Sequence, residues 1–166
     1  MPALHKMKQN AITILALFSI ASFSSCGQTI KNEKTDLVPR LNLVDNITKK
    51  PTILEKKWGA LKETFQKCKR NPDNIALECE EVEGIREVLL TEGPTGSSTI
   101  EFTTPTTCEE IYQVASKNLG RGKIHGNYCD AEWDLSRIKK GLSATLYTSR
   151  KNPSRIFFLI GFEQGP

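Results

Sequence analysis

Residues 142–160 read LSATLYTSRKNPSRIFFLI, and the predicted architecture depends on this stretch more than on any other. Apolar and polar side chains alternate over 142–146, which is typical of a strand with one buried face. Residues 156–160 are apolar throughout, as in a strand that is buried on both faces. A turn cluster at 150–153 separates the two segments. The stretch therefore predicts an antiparallel pair of strands, over 141–149 and 156–160, with the second strand at the centre of a sheet.

A second strand pair is predicted upstream. Residues 85–91 carry an apolar run at their centre, and residues 98–103 alternate between polar and apolar side chains. Between them, Gly93-Pro94-Thr95-Gly96 has the composition of a turn. Together these segments predict a β-hairpin.

Thr52 and Glu55 have the spacing of a capping box, in which a threonine and a glutamate three residues later close the first turn of a helix. An apolar stripe at helical spacing accompanies them, and it consists of Leu54, Trp58, Leu61, Phe65 and Cys68. The pattern predicts the first main helix. Its C-terminus would lie near Lys69 and Arg70, where cations suit the helix dipole.

The second main helix is predicted after Thr107, which forms another capping box with Glu110. Its apolar stripe begins with Cys108, and Gly120 suits its C-terminal end. A short third helix is predicted over 130–140. Together with the strands, these helices predict an α+β fold, a small antiparallel sheet with two main helices that is pinned by two disulfides.

The first 25 residues have the three parts of a secretory signal peptide. Lys6 and Lys8 form a basic head, an apolar core follows, and small residues precede Cys26. The core is too short for a membrane-spanning helix, which needs about 20 apolar residues. Translation starts at Met1 or at Met7, and both starts give the same mature protein.

Phe23-Ser24-Ser25-Cys26 resembles the lipobox of bacterial lipoproteins, with phenylalanine where leucine is usual. The resemblance implies that Cys26 is acylated, becomes the first residue of the mature protein and anchors it in a membrane through its lipid. Gly27 stands where an aspartate marks inner-membrane retention in enterobacterial lipoproteins, so the resemblance implies the outer membrane. It covers only the signal and implies nothing about the folded domain.

These patterns divide the chain into three segments. Residues 1–25 are predicted to be the lipoprotein signal peptide, residues 26–50 the lipidated cysteine and a flexible tether, and residues 51–166 a single α+β domain. The tether is predicted because the apolar residues of this segment follow no sustained period, and because Pro39 disfavours a helix across Val38. A coil of about 24 residues would span roughly 25–30 Å.

Four cysteines remain once Cys26 carries lipid, and an even number in an exported chain indicates two disulfides. Three connectivities are open. We favour Cys68 with Cys79 and Cys108 with Cys129, because both bonds close short local loops. Each bond would stabilise the folded chain by roughly 3 kcal/mol. A metal site is the rival interpretation, but no CxxC pair is present. We therefore expect no metal.

The chain has 23 lysines and arginines against 19 acidic residues, a net charge of +4 that falls by two when Lys6 and Lys8 leave with the signal. This balance is too weak for a nucleic-acid-binding protein. The glycine-rich segment 120–126 lacks the spacing of a phosphate-binding loop. Local basic residues remain candidates for binding a protein partner: Lys69, Arg70, Arg121, Lys123, Lys139 and Lys140.

The sequence contains neither a GxSxG nor an HExxH motif. A catalytic triad would need His125, which lies in a glycine-rich loop with no orienting acid next to it in the sequence. We therefore expect no catalytic residue and no cofactor. The patterns favour an outer-membrane lipoprotein whose domain binds a protein, either a host surface or matrix component or another envelope component. One alternative is an immunity or inhibitor lipoprotein that blocks a toxin or hydrolase, and a third is an envelope enzyme that uses His125.

Overall fold

The computed structural model describes Leu37, residues 39–80 and residues 82–162. Within these residues one antiparallel sheet has the strand order β1-β2-β3-β4-β8-β7-β6-β5. The strands are β1 Cys68–Arg70, β2 Ala76–Cys79, β3 Ile85–Thr91, β4 Ser97–Phe102, β5 Lys123–Ile124, β6 Asp130–Asp134, β7 Leu142–Thr148 and β8 Ile156–Phe162. Helices α1 (Pro39–Lys49) and α3 (Cys108–Leu119) cover one face, with a 3-10 helix over Pro51–Glu55 and the one-turn α2 (Trp58–Leu61).

Both predicted strand pairs are confirmed. β3 and β4 form the expected hairpin, and β7 pairs antiparallel with β8 along its whole length. β8 also pairs with β4, so it lies at the centre of the sheet. Its burial differs from the prediction, because the helices cover one face only: Phe158 and Ile160 are fully buried, whereas Phe157 and Leu159 are half-buried.

Helix α3 is confirmed together with its capping box. The Thr107 side chain accepts a hydrogen bond from the Glu110 backbone N–H, and the Glu110 carboxylate accepts one from the Thr107 backbone N–H. Gly120 ends the helix with φ of +85°, a conformation that glycine adopts without strain. Cys108 lies on the buried side of the helix, as predicted.

The first predicted main helix is wrong. Its residues form the 3-10 helix and the single turn α2, with extended backbone at Lys56 and Lys57 between them, and Cys68 belongs to β1. The Trp58 backbone N–H donates to the Glu92 carboxylate across 3.1 Å instead of continuing a helix. A tertiary hydrogen bond thus outweighs the local capping pattern, since helix propensity is only a weak preference.

The short helix predicted over 130–140 is also wrong, because its first half is strand β6. Ala131 and Trp133 are buried, whereas Asp130, Glu132 and Asp134 are exposed, which is the alternation of a strand. The buried pair faces Leu146 and Ala144 of β7, and residues 135–141 form the turn between the two strands.

The predicted tether is wrong over its second half, because Pro39–Lys49 is helix α1 and belongs to the domain. Leu41, Val44 and Ile47 are buried in the core. Pro39 takes the first helical position, where its missing N–H has no intrahelical partner to lose. Residues 1–36, including the signal and Cys26, lie outside the described residues.

Both disulfides are confirmed with the favoured connectivity. Cys68–Cys79 joins two register partners on β1 and β2, and Cys108–Cys129 ties the start of α3 to the loop before β6. Their sequence separations are 11 and 21 residues, so the second bond constrains the unfolded chain slightly more. The first bond therefore holds the outer strands β1 and β2 together, and the second fixes the first turn of α3.

Candidate functional site

The face of the sheet opposite the helices carries a row of side chains that crosses five strands. The strand registers align Glu87, Glu101, Phe157, Tyr147 and Asp130, one each on β3, β4, β8, β7 and β6. We call these five residues the open-face row. Most of their neighbours in the strands point to the other face and build the core, since side chains alternate along a strand. Arg86 is an exception, because the register of β3 shifts between Ile85 and Glu87. The core, which includes buried residues of α1 and α3, lies on the other face of the sheet.

A buried carboxylate, Glu101, forms an ion pair within the row, next to Glu87. Arg155 holds the Glu101 carboxylate with two hydrogen bonds, from Nε to Oε1 at 2.6 Å and from Nη2 to Oε2 at 2.7 Å. Arg86 Nε lies 3.6 Å from the same Oε1 atom. Glu101 is only 3% exposed, and a paired geometry of this kind is the strongest form of a charged hydrogen bond.

The pKa of Glu101 lies below its ordinary value of 4.5, chiefly because of the hydrogen bonds from Arg155. Burial acts in the opposite direction, and the charges of Arg155 and Arg86 lower the pKa further. Glu101 is therefore a carboxylate at neutral pH, and it fixes the position of both guanidinium groups.

Two stacked rings lie at the centre of the row. The rings of Tyr147 and Phe157 are 5.2 Å apart at an interplanar angle of 14°, and Tyr147 is 37% exposed. The Arg155 guanidinium carbon lies 5.5 Å from the centre of the Phe157 ring. Arg155 is thus held by a carboxylate and by a ring, so little side-chain entropy would be lost if it bound a partner.

The ion pair gives a testable dependence on pH. Replacing Glu101→Gln should lower the free energy of unfolding at neutral pH by about 1–2 kcal/mol, because charged hydrogen bonds to Arg155 are lost. Since the folded pKa of Glu101 is lowered, its stabilising effect is present above pH 4.5 and disappears as the pH falls through the folded pKa. Urea unfolding at neutral pH and at about pH 3 should show that the difference in free energy of unfolding between wild type and variant becomes smaller in acid.

The matched control for this measurement is Glu87→Gln, which changes an exposed glutamate of the same row. It should leave the free energy of unfolding at neutral pH nearly unchanged. If the free energy of unfolding of Glu101→Gln differed from that of wild type by the same amount from neutral pH down to about pH 3, the charge of Glu101 would not stabilise the fold.

A recess adjoins the row at Tyr147. It has a volume of about 480 Å³ and is lined by residues of the loop before β6 and of the loop after β7, among them Asn127, Asp130 and Arg150. Asp130 and Tyr147 belong both to the row and to the recess. The open face therefore continues from the stacked rings into a concave, polar margin.

A larger cleft of about 680 Å³ lies on the helix side, between α1 and the strands β2 and β3. Asn42, Leu43 and Asn46 of α1 line it, together with Leu77 and the Cys68–Cys79 disulfide. Its volume is in the range of small-molecule pockets. Its lining combines neutral amides and apolar side chains with four charged residues, and it does not include the stacked rings of the open-face row. The charged residues are Lys67, Glu80, Arg86 and Glu87.

The six basic residues predicted as a binding group do not form one patch. Lys69 and Lys123 lie on β1 and β5, the two edges of the sheet, which are about 34 Å apart along the sheet. Lys69 and Arg70 are neighbours in a strand and so point to opposite faces. Arg70 pairs with Glu92 at 2.8 Å. Arg121 is exposed in the loop between α3 and β5.

Lys139 and Lys140 lie in the turn between β6 and β7, and Lys139 pairs with Glu55 at 3.2 Å. Arg70 lies at the same end of the sheet, because β1 and β6 run in the same direction. Of the six candidates, Arg70, Lys139 and Lys140 thus share one end of the sheet, but β1 and the β6–β7 turn are five to six strand spacings apart along it.

His125 has an acidic neighbour that the sequence did not reveal. Its Nε2 atom lies 3.2 Å from the Glu132 carboxylate, because the β5–β6 pairing brings the two together. Both side chains are partly solvated at the edge of the sheet, with 34% and 57% of their surfaces exposed. In the described ranges, no three His, Cys, Asp or Glu side chains gather as metal ligands would.

Comparison with known proteins identifies no relative of this chain. No protein-family model matches the sequence, and searches of curated proteins and of solved structures give no significant match. None of the helices in the described part of the chain is long and apolar enough to span a membrane. The function is therefore inferred from the chemistry of the site.

Proposed function

We propose that the chain is a bacterial lipoprotein, anchored in the outer membrane through Cys26, whose domain binds another protein through the open-face row. The observation that supports binding is the combination of stacked Tyr147 and Phe157 with an arginine that is held in place by Glu101. Tyrosine and arginine contribute most to binding energy in protein interfaces, especially when they are fixed before binding.

The charges around the row favour a protein over a polyanion. Exposed acids, Glu87 and Asp130, lie on this face together with Arg86 and Arg155, which pair with the buried Glu101, so the surface carries both signs. A surface for a nucleic acid or another polyanion would be uniformly basic. A protein partner can match both signs around an apolar centre, which is the usual anatomy of an interface.

The binding proposal is tested by capturing partners from envelope and host extracts with the mature protein. Tyr147→Ala and Arg155→Ala should each reduce capture about tenfold or more, because they remove the fixed anchors of the surface. Arg121→Ala is the matched control, since it removes an exposed arginine from another part of the surface. Equal capture by all three variants would exclude the open-face row as the binding surface.

The identity of the captured protein separates the candidate functions. A toxin or hydrolase would make the chain an immunity or inhibitor lipoprotein, and a host or envelope component would make it an adhesive or structural one. His125→Ala should leave capture unchanged, because His125 lies outside the open-face row. If His125→Ala abolished a biological activity while fold and capture persisted, an envelope enzyme would replace the binding proposal.

The anchor is tested separately. Cys26→Ala should abolish labelling by a palmitate analogue and release the protein from the membrane fraction, because the acyl chains supply about 0.8 kcal/mol per buried CH₂. The matched control is Ser25→Ala, which keeps a small residue before the cysteine. Unchanged labelling in Cys26→Ala would show that the lipid is attached elsewhere.

A further inference from the structure

The recess beside Tyr147 lies between two loops that hydrogen bonds hold in place. In the loop before β6, the Asn127 side-chain oxygen accepts a hydrogen bond from the Cys129 backbone N–H at 2.8 Å, and the disulfide of Cys129 ties this loop to α3. In the loop after β7, the Ser149 backbone N–H donates to the Arg155 backbone carbonyl at 3.0 Å. A ligand in the recess would meet loops that are already ordered, which lowers the entropic cost of binding.

One side of the Tyr147 ring faces the recess. Phe157 on β8 covers the other side, since the two rings are stacked with their centres 5.2 Å apart. Strands β8 and β6 lie on opposite sides of β7, so the uncovered side of the ring faces β6, where Asp130 also lines the recess. A flat ring that is open on one side can stack against a flat apolar surface of a ligand.

The polar groups of the recess include both donors and acceptors of hydrogen bonds. Asp130 and Arg150 both line it, but neither makes an ion pair with another described residue. The side-chain oxygen of Asn127 is already used within its loop, which leaves its NH₂ group as a donor. The recess therefore offers a carboxylate that only accepts, next to amide and guanidinium groups that donate.

The charges of the recess do not favour an ion as the ligand. An anion would meet the Asp130 carboxylate, and a cation would meet the Arg150 guanidinium. The exposed charged or titratable residues beside the lining are Lys123, His125, Glu132 and Lys151. They include both signs, and Glu132 pairs with His125 at 3.2 Å. A neutral hydroxyl group both donates and accepts, so a ligand rich in hydroxyls can satisfy the acid and the base together.

We propose that the recess binds a neutral saccharide. The C–H face of a pyranose ring would lie on the uncovered side of Tyr147, and its hydroxyls would meet Asp130, Asn127 and Arg150. The volume of about 480 Å³ is in the range of small-molecule sites. The inference rests on the proposed function, because it identifies the partner of the open-face row as a protein that carries glycan chains.

Saturation-transfer NMR tests the site with the full mature protein in a detergent that has no sugar headgroup. The probes are the methyl glycosides of glucose, galactose, mannose and N-acetylglucosamine, and sorbitol is the control ligand with hydroxyls but no ring. At least one glycoside should bind about tenfold or more tightly than sorbitol, because only a ring can stack on Tyr147. If no glycoside bound, or if sorbitol bound equally well, the proposal would be wrong.

The variant Asn127→Asp removes one donor from the recess. It keeps the oxygen that accepts from the Cys129 N–H, so the loop should stay folded while glycoside binding weakens about tenfold or more. The matched control is Asn74→Asp in the turn between β1 and β2, where the Asn74 oxygen accepts from the Ala76 N–H, also at 2.8 Å. It should weaken binding less than about twofold. Equal losses in the two variants would overturn the saccharide site.

Partner capture separates this inference from the proposed function. Periodate oxidation of the extract, which opens sugar rings, should reduce capture, and Asn127→Asp should do the same. If neither changed capture while Arg155→Ala abolished it, the open-face row would bind a bare protein surface and the saccharide inference would fail alone. If glycoside binding depended on Asn127 but capture did not depend on Tyr147 or Arg155, the saccharide site would stand and the proposed function would fail.

Discussion

A chain that begins at Pro51 should fail to fold, whereas one that begins at Asp36 should fold cooperatively. The shorter chain lacks α1 and with it Leu41, Val44 and Ile47, none of which is more than 4% exposed. Burying an aliphatic side chain contributes roughly 1.5–3 kcal/mol, so these three account for about 5–9 kcal/mol. Domains of this size are stable by only about 5–15 kcal/mol.

Removal of α1 would also uncover polar groups that α1 now satisfies. Asn118 of α3 donates to the Asp45 carboxylate and to the Thr48 hydroxyl, each at 2.9 Å, and Arg40 pairs with Glu110 at 2.9 Å. These contacts link the two helices along their whole length. The core face of α3 would be exposed to water, which would lower the free energy of unfolding further.

Urea unfolding followed by circular dichroism measures the effect of the truncation. The point variant Val44→Asp, which places a charge in the core, should mimic the truncation, whereas Asn42→Asp changes an exposed residue of the same helix and should have little effect. A cooperative transition of the 51–166 chain at the midpoint of the 36–166 chain would show that α1 is dispensable, as the predicted tether implied.

The sequence did not reveal α1 because two of its buried positions are polar. Asp45 and Thr48 lie on its core side and interrupt the apolar stripe formed by Leu41, Val44 and Ile47, so the stripe stays short. Their burial is acceptable only in the folded chain. Thr48 donates to the Val44 backbone carbonyl at 2.7 Å, and burial raises the pKa of Asp45 but hydrogen bonds from Lys49 and Asn118 outweigh it. A helix stabilised by such tertiary contacts leaves a weak local signal.

The features that could be predicted depend on local patterns. The β3–β4 hairpin, the β7–β8 pair, the capping box at Thr107 and both disulfides each involve residues close in sequence. The open-face row could not be predicted, because it depends on the pairing of β4 with β8, which are separated by more than fifty residues. Arg155 and Glu101 have no shared local pattern, and only that register brings them together.

Two adjacent phenylalanines of β8 should respond to truncation in opposite ways. Phe158 is fully buried and packs edge-on against Trp133, with ring centres 6.1 Å apart. Phe158→Ala should lower the free energy of unfolding by about 3–5 kcal/mol, because it leaves a cavity in the core. Phe157 is half-buried on the open-face row, so Phe157→Ala should cost only about 1 kcal/mol of stability.

Partner capture should show the reverse order, since only Phe157 supports Tyr147 and Arg155. At temperatures where it remains folded, Phe158→Ala should still capture the partner. Phe157→Ala should capture about tenfold less, although it is the more stable of the two variants. The pair is informative because both changes remove the same ring from neighbouring positions of one strand, and a strand sends neighbours to opposite faces. Equal loss of capture in both variants would show that binding follows overall stability. If Phe157→Ala lowered the free energy of unfolding as much as Phe158→Ala does, the open face would be covered in the folded protein.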